Sequence, residues 1–210
     1  MKGEGVMEVK VRKTRSDKKR DVKPTVPLQL KECIDRLSYI TNLPIKDISV
    51  EACEYGLNNR KVIELLSNDF RRDFRFFSTI FIGDASRPSR QREQIEGMKT
   101  RISMRFKQET YERLYNLSFA LDVTPTRAAA LLLDATLKNS EFIDWFLQKN
   151  VVGQLDKDRQ KELKVLLKYI NKHNPYNKEI TLSALIAYYF DEVSSSLSTF
   201  KEFIERLTDK

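Results

Sequence analysis

The hydrophobic residues of the stretch KTRISMRFKQETYERL (99–114) change their spacing partway along. From Ile102 to Phe106 they alternate with polar residues, which is typical of a half-buried β-strand. From Tyr111 onward they recur every three or four positions, as on one face of an amphipathic helix. The stretch therefore predicts a short strand that leads almost directly into a helix. The polar face of that strand would carry Arg101, Ser103 and Arg105.

This pattern is repeated. EACEYGLNNRKVIELL, from Glu51, aligns with LLLDATLKNSEFIDWF, from Leu131, at a constant offset of 80 residues. Further upstream the apolar alternation pairs VPLQL (26–30) with ISMRF (102–106), which requires the offset to slip by about four residues. Each copy predicts a strand, two helices joined by a short turn, and a further apolar helix.

Local signals support the paired helices. Thr124 is a predicted N-cap, and Pro125 stands where a first helical position tolerates proline. Thr181 is a second candidate N-cap. Gly56 falls inside a predicted helix, where glycine costs about 1 kcal/mol relative to alanine. This position therefore predicts a close approach of another helix.

A fainter third copy begins at Val151, where VVGQL aligns with ISMRF and amphipathic helical patterns follow. Its strand contains Gly153, which weakens a strand, and its polar face carries no basic residue. We expect residues 151–210 to form a degenerate helical unit that serves oligomerisation or binds a protein partner.

These patterns divide the chain into five segments and predict a mainly α fold with short β-ribbon strands. The low content of glycine and proline, six residues of each, also favours helices. The segments are a basic N-terminal arm (1–21), a first unit (22–68), an insertion (69–97), a second unit (98–150) and the C-terminal unit (151–210). In the insertion, FRRDFRFFSTIFI either extends the preceding helix or packs on the repeats, and a polar linker follows.

Positive charge is concentrated in two stretches of a chain whose net charge is +8. Residues 1–23 hold nine basic and four acidic groups, and residues 87–113 hold eight and four. Such clustering is expected of a protein that binds a polyanion such as DNA. In the insertion, Arg87, Arg90 and Arg92 either contact phosphate or are simply solvated.

A short alternating strand followed by two helices resembles the ribbon-helix-helix family of DNA-binding proteins, which includes the Arc and methionine repressors. The resemblance is clearest over TRISMRFKQETYERLYNLSFALDVTPTRAAALLLDATL (100–137) and weaker over residues 22–57. It implies tandem ribbon-helix-helix units with extra helices. Two strands would pair antiparallel, with Ile102, Met104 and Phe106 facing the helical core.

The resemblance also implies which residues contact double-stranded DNA. Base-contacting candidates in the second copy are Arg101, Ser103 and Arg105, and their counterparts in the first copy are Thr25 and Gln29, with Pro27 between them. Phosphate contacts are implied near the N-terminus of the second helix of each copy and beside the strands. These candidates are Thr124, Thr126, Arg127, Lys46, Lys23 and Lys99.

Two pairings of the strands remain open. The two copies pair with each other inside one chain as a pseudo-dimer, or each pairs with its counterpart in a homo-oligomer. Three functions also remain open. The first is a DNA-binding transcriptional repressor, and the second is an accessory factor for plasmid transfer, partition or replication. The third is an antitoxin-like or scaffolding protein that binds another protein.

Several classes of function are not expected. His173 is the only histidine, Cys33 and Cys53 both fall on apolar helical faces, and no phosphate-binding loop motif occurs. We therefore expect neither an enzyme nor a bound cofactor or metal. No run of sequence has the length of a membrane span, and no secretory signal is recognisable. We expect a soluble, cytoplasmic protein.

Overall fold

The computed structural model describes residues 19–94, 96–151 and 155–176. Within them the chain is mainly helical with short two-stranded antiparallel ribbons, which confirms the predicted fold class. The strands are β1 (Arg20–Val22), β2 (Thr25–Pro27), β3 (Phe74–Phe76), β4 (Thr79–Phe81), β5 (Lys99–Arg101) and β6 (Met104–Phe106). The helices are α1 (Leu28–Thr41), α2 (Ile45–Asn58), α3 (Arg60–Ser67), α4 (Gln108–Leu121), α5 (Pro125–Leu137), α6 (Ser140–Asn150) and α7 (Lys157–His173). A short 3-10 helix spans Arg90–Arg92.

The two copies keep one offset throughout. Helix α1 begins at Leu28 and α4 at Gln108, and each has 14 residues, so the offset of 80 continues to the strands. The predicted slip of about four residues is therefore wrong. Leu28 and Leu30, which alternate with polar residues like a strand, form the first turn of α1. Pro27 precedes that turn, where the missing N–H of proline costs no helical hydrogen bond.

Equivalent residues start and stop the helices of both copies. Asn42 after α1 and Asp122 after α4 both adopt the left-handed conformation, with φ of 59° and 55°. Asparagine and aspartate tolerate this conformation better than most residues. Asn59 and Asn139 cap α3 and α6 by accepting backbone N–H bonds. Thr124 caps α5 in the same way, as predicted.

Helices α2 and α5 pack against each other at the centre of the core. A β-carbon added at Gly56 in α2 would lie 2.2 Å from Thr136 Oγ1 and 2.8 Å from Leu132 Cδ1 of α5. The close approach predicted at Gly56 is therefore confirmed. Both cysteines are buried, as expected.

The insertion packs on the second copy and does not extend α3, which ends at Ser67. The backbone N–H groups of Arg71 and Arg72 donate to the Ala120 carbonyl at 2.8 and 3.0 Å. Their guanidinium groups also pair with the Asp122 carboxylate, at 2.6 and 2.5 Å. Cations are favourable at a helix C-terminus, where carbonyl groups lack intrahelical partners. The β3–β4 hairpin is thus fixed to the end of α4.

Helix α7 makes up most of the part of the predicted third copy that the structure describes, and it packs on α1. Arg36 Nε lies 3.1 Å from a Glu162 carboxylate oxygen, and Arg159 donates to Asn42 Oδ1 at 3.0 Å. Residues 152–154, which are most of its predicted strand, and residues 177–210, which include the candidate cap Thr181, lie outside the described residues. Among the helices of residues 19–176 that are described, none is long and apolar enough to cross a membrane.

Replacing Gly56 by alanine should destabilise the protein despite the higher helix propensity of alanine. The new methyl group would overlap Thr136 and Leu132, and overpacking of this kind typically costs about 1–3 kcal/mol. We expect a lower melting temperature by circular dichroism. A Gly56→Ala/Thr136→Ala double variant, which lacks the nearest clashing atom, should recover part of the loss. A Gly56→Ala protein as stable as the wild type would contradict the close packing of α2 on α5.

The stability of the protein should depend on the ionisation of Asp144 in α6. One carboxylate oxygen of Asp144 is buried without a hydrogen-bond partner among the described groups. Burial, and next the nearby Glu141, raise the pKa of Asp144 from 3.8 to about 6. The folded state therefore binds more protons than the unfolded state between these two values. The contribution of Asp144 to the free energy of unfolding must then fall as the pH rises through this window.

An Asp144→Asn variant should accordingly melt at a higher temperature than the wild type at pH 7, and this advantage should shrink toward pH 4. Thermal melts across that range test the expectation. Glu109→Gln, which alters an exposed carboxylate on α4, is the control and should show no such advantage. An Asp144→Asn protein that is no more stable than wild type at pH 7 would contradict the raised pKa of Asp144 in the folded protein.

Candidate nucleic-acid interface

Strands from the two copies form one antiparallel ribbon inside the chain. Asp21 faces Arg105 in the β1–β6 pair, and Thr25 faces Arg101 in the β2–β5 pair. The register is the same in both pairs, and a backbone hydrogen bond of 3.1 Å from Ile102 to the Pro24 carbonyl bridges them. Of the two pairings left open by the sequence, the structure thus shows the one within a single chain.

One face of this ribbon packs against the helices. Five apolar side chains of this face are at most 4% exposed and belong to the same core as the helices. Burying this apolar face fixes the ribbon in place, since a two-stranded ribbon is at best marginally stable alone. These five residues are Val22, Val26, Ile102, Met104 and Phe106.

The other face, which we call the outer face, points to solvent and is basic. Four cations and one carboxylate from residues 21–25 and 99–105 stand on it, and Lys19 and Lys107 lie just beyond its ends. The charged residues are Asp21, Lys23, Lys99, Arg101 and Arg105, with Thr25 and Ser103 between them. Four of the predicted base-contacting residues, Thr25, Arg101, Ser103 and Arg105, therefore share one surface.

A local twofold axis passes through the centre of the outer face. Continuation of the register places Lys23 opposite Ser103, and these two residues are also equivalent at the offset of 80. Lys23, predicted as a phosphate contact, thus stands in the middle of the surface. The same axis makes Asp21 equivalent to Arg101. The predicted slip of four residues placed the first strand at residues 26–30. For this reason neither Asp21 nor Lys23 was expected on the outer face.

Gln29 does not lie on the ribbon. It is exposed in the first turn of α1, two residues after β2 ends. Its predicted position on the strand is therefore wrong, and the cause is again the helical start at Leu28. Pro27, at the end of β2, immediately precedes that helix.

The two arginines of the outer face differ in their surroundings. Arg105 Nε donates to Asp21 Oδ1 at 2.9 Å, and both side chains remain more than half exposed. An exposed pair of this kind contributes little to stability, but it limits the orientations of the guanidinium group. Arg101 faces Thr25, and its side chain has no hydrogen bond or ion pair with any other described residue.

The N-terminus of α5, where phosphate contacts were predicted, is covered by the insertion. The Thr124 N–H donates to Gln91 Oε1 at 2.7 Å. The side chain of Arg127 is only 14% exposed and donates to the Arg90 carbonyl and to Glu93, at 3.0 and 2.7 Å. A carboxylate therefore already occupies the position beside Arg127 where a phosphate would bind.

The arginines of the insertion are divided between internal and solvent-facing roles. Arg90 pairs with Glu93 and Asp69, and its hydrogen bond lowers the pKa of Glu93, with Arg127 adding to the effect. Arg87 donates to backbone carbonyls at the end of α3 and beyond. Arg92 is exposed.

The remaining predicted phosphate contacts are exposed. Lys46, in the first turn of α2, lines an open cleft together with Ser103 and Arg105 of the ribbon. Lys99 stands at the end of the outer face, and Thr126 is exposed in the first turn of α5. At the start of α2 Lys46 is exposed, whereas at the start of α5 Thr124 and Arg127 are held by Gln91 and Glu93 and only Thr126 of the first turn is exposed.

The cysteines have no features of a reactive site. Burial raises the pKa of the Cys33 thiol to about 12, and burial likewise raises the pKa of Cys53. Both thiols are therefore protonated at neutral pH. Among the described residues, no cluster of three histidines, cysteines or carboxylates could hold a metal ion.

Comparison of the chain with protein-family models, with curated proteins and with solved structures found no match. The ribbon, its basic outer face and its surroundings are therefore the features from which a function must be inferred.

Proposed function

We propose that this protein binds double-stranded DNA sequence-specifically by placing the outer face of its ribbon in the major groove. The observation that carries the proposal is a two-stranded ribbon with one face packed in the core and the other exposed and basic. The major groove of B-DNA is wide enough for such a ribbon. The resemblance of the strand-helix-helix pattern in residues 100–137 to ribbon-helix-helix proteins supports the same function.

In this proposal each type of residue on and beside the outer face has its own contact with DNA. Arg101 and Arg105 contact guanine, because a guanidinium can donate two hydrogen bonds to guanine O6 and N7. Lys23 and Ser103 lie over the central base step, and Thr25 contacts a base beside Arg101. Phosphates on either side of the groove are contacted by Lys46, Lys99 and Thr126, which fix the register of the protein without specifying sequence.

The biological role that we propose is transcriptional repression, in which the bound ribbon and helices block access to a promoter. Accessory roles in plasmid transfer, partition or replication would use the same surface, and the genomic sites occupied in cells distinguish these roles. The packing of α7 on α1 argues against a free partner-binding tail within residues 155–176. We place the protein in the cytoplasm together with its DNA.

Replacing Arg101 or Arg105 by alanine should weaken binding to a selected DNA site by about 1–3 kcal/mol, or roughly 5- to 150-fold in Kd. The same changes should relax the base preference at one position of the site. Fluorescence anisotropy with the selected site and with single-base variants measures both effects. Arg101→Lys keeps the charge but loses the two-bond geometry, so it should lose the base preference as well.

The matched control is Arg60→Ala. Arg60 is an exposed arginine on α3 that pairs with Glu64 and lies off the ribbon. Its replacement removes the same charge and should leave base preference unchanged. Unaltered affinity and preference in both ribbon variants, with intact circular dichroism spectra, would exclude the outer face as the base-contacting surface.

The N-terminal arm should contribute affinity without specificity. Residues 2–18 carry six basic and three acidic groups and precede β1. If they contact phosphates, their deletion should weaken binding to all DNA sequences alike. The dependence of log K on log salt should also become shallower, by about 0.9 for each phosphate that the arm neutralises. A salt titration on specific and scrambled DNA tests this, and an unaltered slope would count against phosphate binding by the arm.

A further inference from the structure

The two halves of the outer face are chemically unequal although the backbone relates them by a local twofold axis. The axis passes between Lys23 and Ser103, so that Arg101 corresponds to Asp21 and Arg105 corresponds to Thr25. One half therefore presents an arginine beside a threonine. The other half presents an arginine beside a carboxylate. A ribbon built from two identical strands would have to present the same residues in both halves.

We propose, on the basis of the function proposed above, that a single chain recognises a non-palindromic DNA site, and that Asp21 determines the difference between its half-sites. Arg101 contacts its base pair with a guanidinium group that no other described residue holds in place. Arg105 meets its base pair held by Asp21, at 2.9 Å from its Nε. The second oxygen of the Asp21 carboxylate can accept a hydrogen bond from the amino group of cytosine. An arginine cannot accept this bond, because a guanidinium group has only donors.

The charges of the two halves also differ in their effect on DNA. A carboxylate in the groove repels the acceptor atoms of guanine and thymine, and it favours base edges that donate. In the other half the residue beside the arginine is Thr25. Its hydroxyl group carries no charge and can contact base edges that donate or accept a hydrogen bond. The Asp21 half is therefore the more restrictive half.

The surroundings of the ribbon are unequal in the same sense. At the start of α5 the Thr124 N–H is bound by Gln91 and Arg127 is paired with the Glu93 carboxylate, and only Thr126 of the first turn is exposed. The equivalent first turn of α2 is exposed and places Lys46 beside the ribbon. Phosphate contacts on the two sides of the site are thus unequal as well, which adds to the asymmetry of the base contacts.

Selection of bound fragments from a random duplex DNA pool, with the full-length protein, tests this inference. The wild type should enrich a non-palindromic site. Arg101→Ala and Arg105→Ala should each relax a different half of it. Asp21→Asn should relax the Arg105 half only, with at least a roughly threefold loss of discrimination there and none in the other half.

A symmetrised ribbon gives the complementary measurement. The variant Asp21→Arg/Thr25→Arg places an arginine at all four flanking positions of the outer face. It should enrich a site that is closer to palindromic than that of the wild type. Circular dichroism confirms that each variant is folded before selection.

The outcomes separate the two proposals. A palindromic wild-type site, or relaxation of both halves by each single arginine variant, would overturn the asymmetric recognition while leaving DNA binding intact. Loss of discrimination in both halves with Asp21→Asn would overturn the role given to Asp21. No enrichment of any sequence by the wild type would overturn sequence-specific binding itself.

Discussion

Antiparallel pairing of residues 20–27 with residues 99–106 is the interaction on which the rest of the structure depends. The two segments are about 80 residues apart in sequence, and neither strand has another partner among the described residues. Their pairing aligns the apolar side chains of both copies on one inner face, and this face closes the core that α2 and α5 form. Because side chains alternate along a strand, the same register that buries Val26 and Met104 exposes the charged residues. Packing and surface chemistry are thus set by one register.

The insertion is what allows this pairing inside one chain. The polypeptide must return from the end of α3 to the start of β5, and a long unstructured connection would leave many backbone groups without fixed partners. Here the return path is folded onto the second copy, where Arg71 and Arg72 bind Asp122 and carbonyls at the end of α4. The same path then crosses the first turn of α5. An inserted segment thereby gives the two copies different surroundings although their equivalent helices begin at the same offset of 80 residues.

The sequence predicted the helices well because their apolar residues have a strong period and their caps are the usual ones. It predicted the second strand for the same reason, since Ile102, Met104 and Phe106 alternate without interruption. The first strand was misplaced because Val26, Leu28 and Leu30 alternate like a strand while Leu30, Ile34 and Leu37 have helical spacing. Such short apolar runs are ambiguous by periodicity alone. Pro24, which lies between β1 and β2, removed the remaining signal, because proline is unusual within a paired strand.

The cover over α5 could not be predicted, since hydrogen bonds such as that of Thr124 to Gln91 depend on how the insertion folds back in space. Nor could the choice between the two pairings, because each satisfies the same apolar pattern. That choice has a chemical consequence. When two identical chains build a ribbon, a residue that suits one half-site is imposed on the other half-site. When one chain supplies both strands, the second strand is always present at a high effective concentration, and each strand is free to carry different residues. Under that condition Asp21 can stand where its twofold counterpart is Arg101, which two identical strands would not allow, and the presence of this pair on one outer face therefore fits a ribbon that works as a single chain.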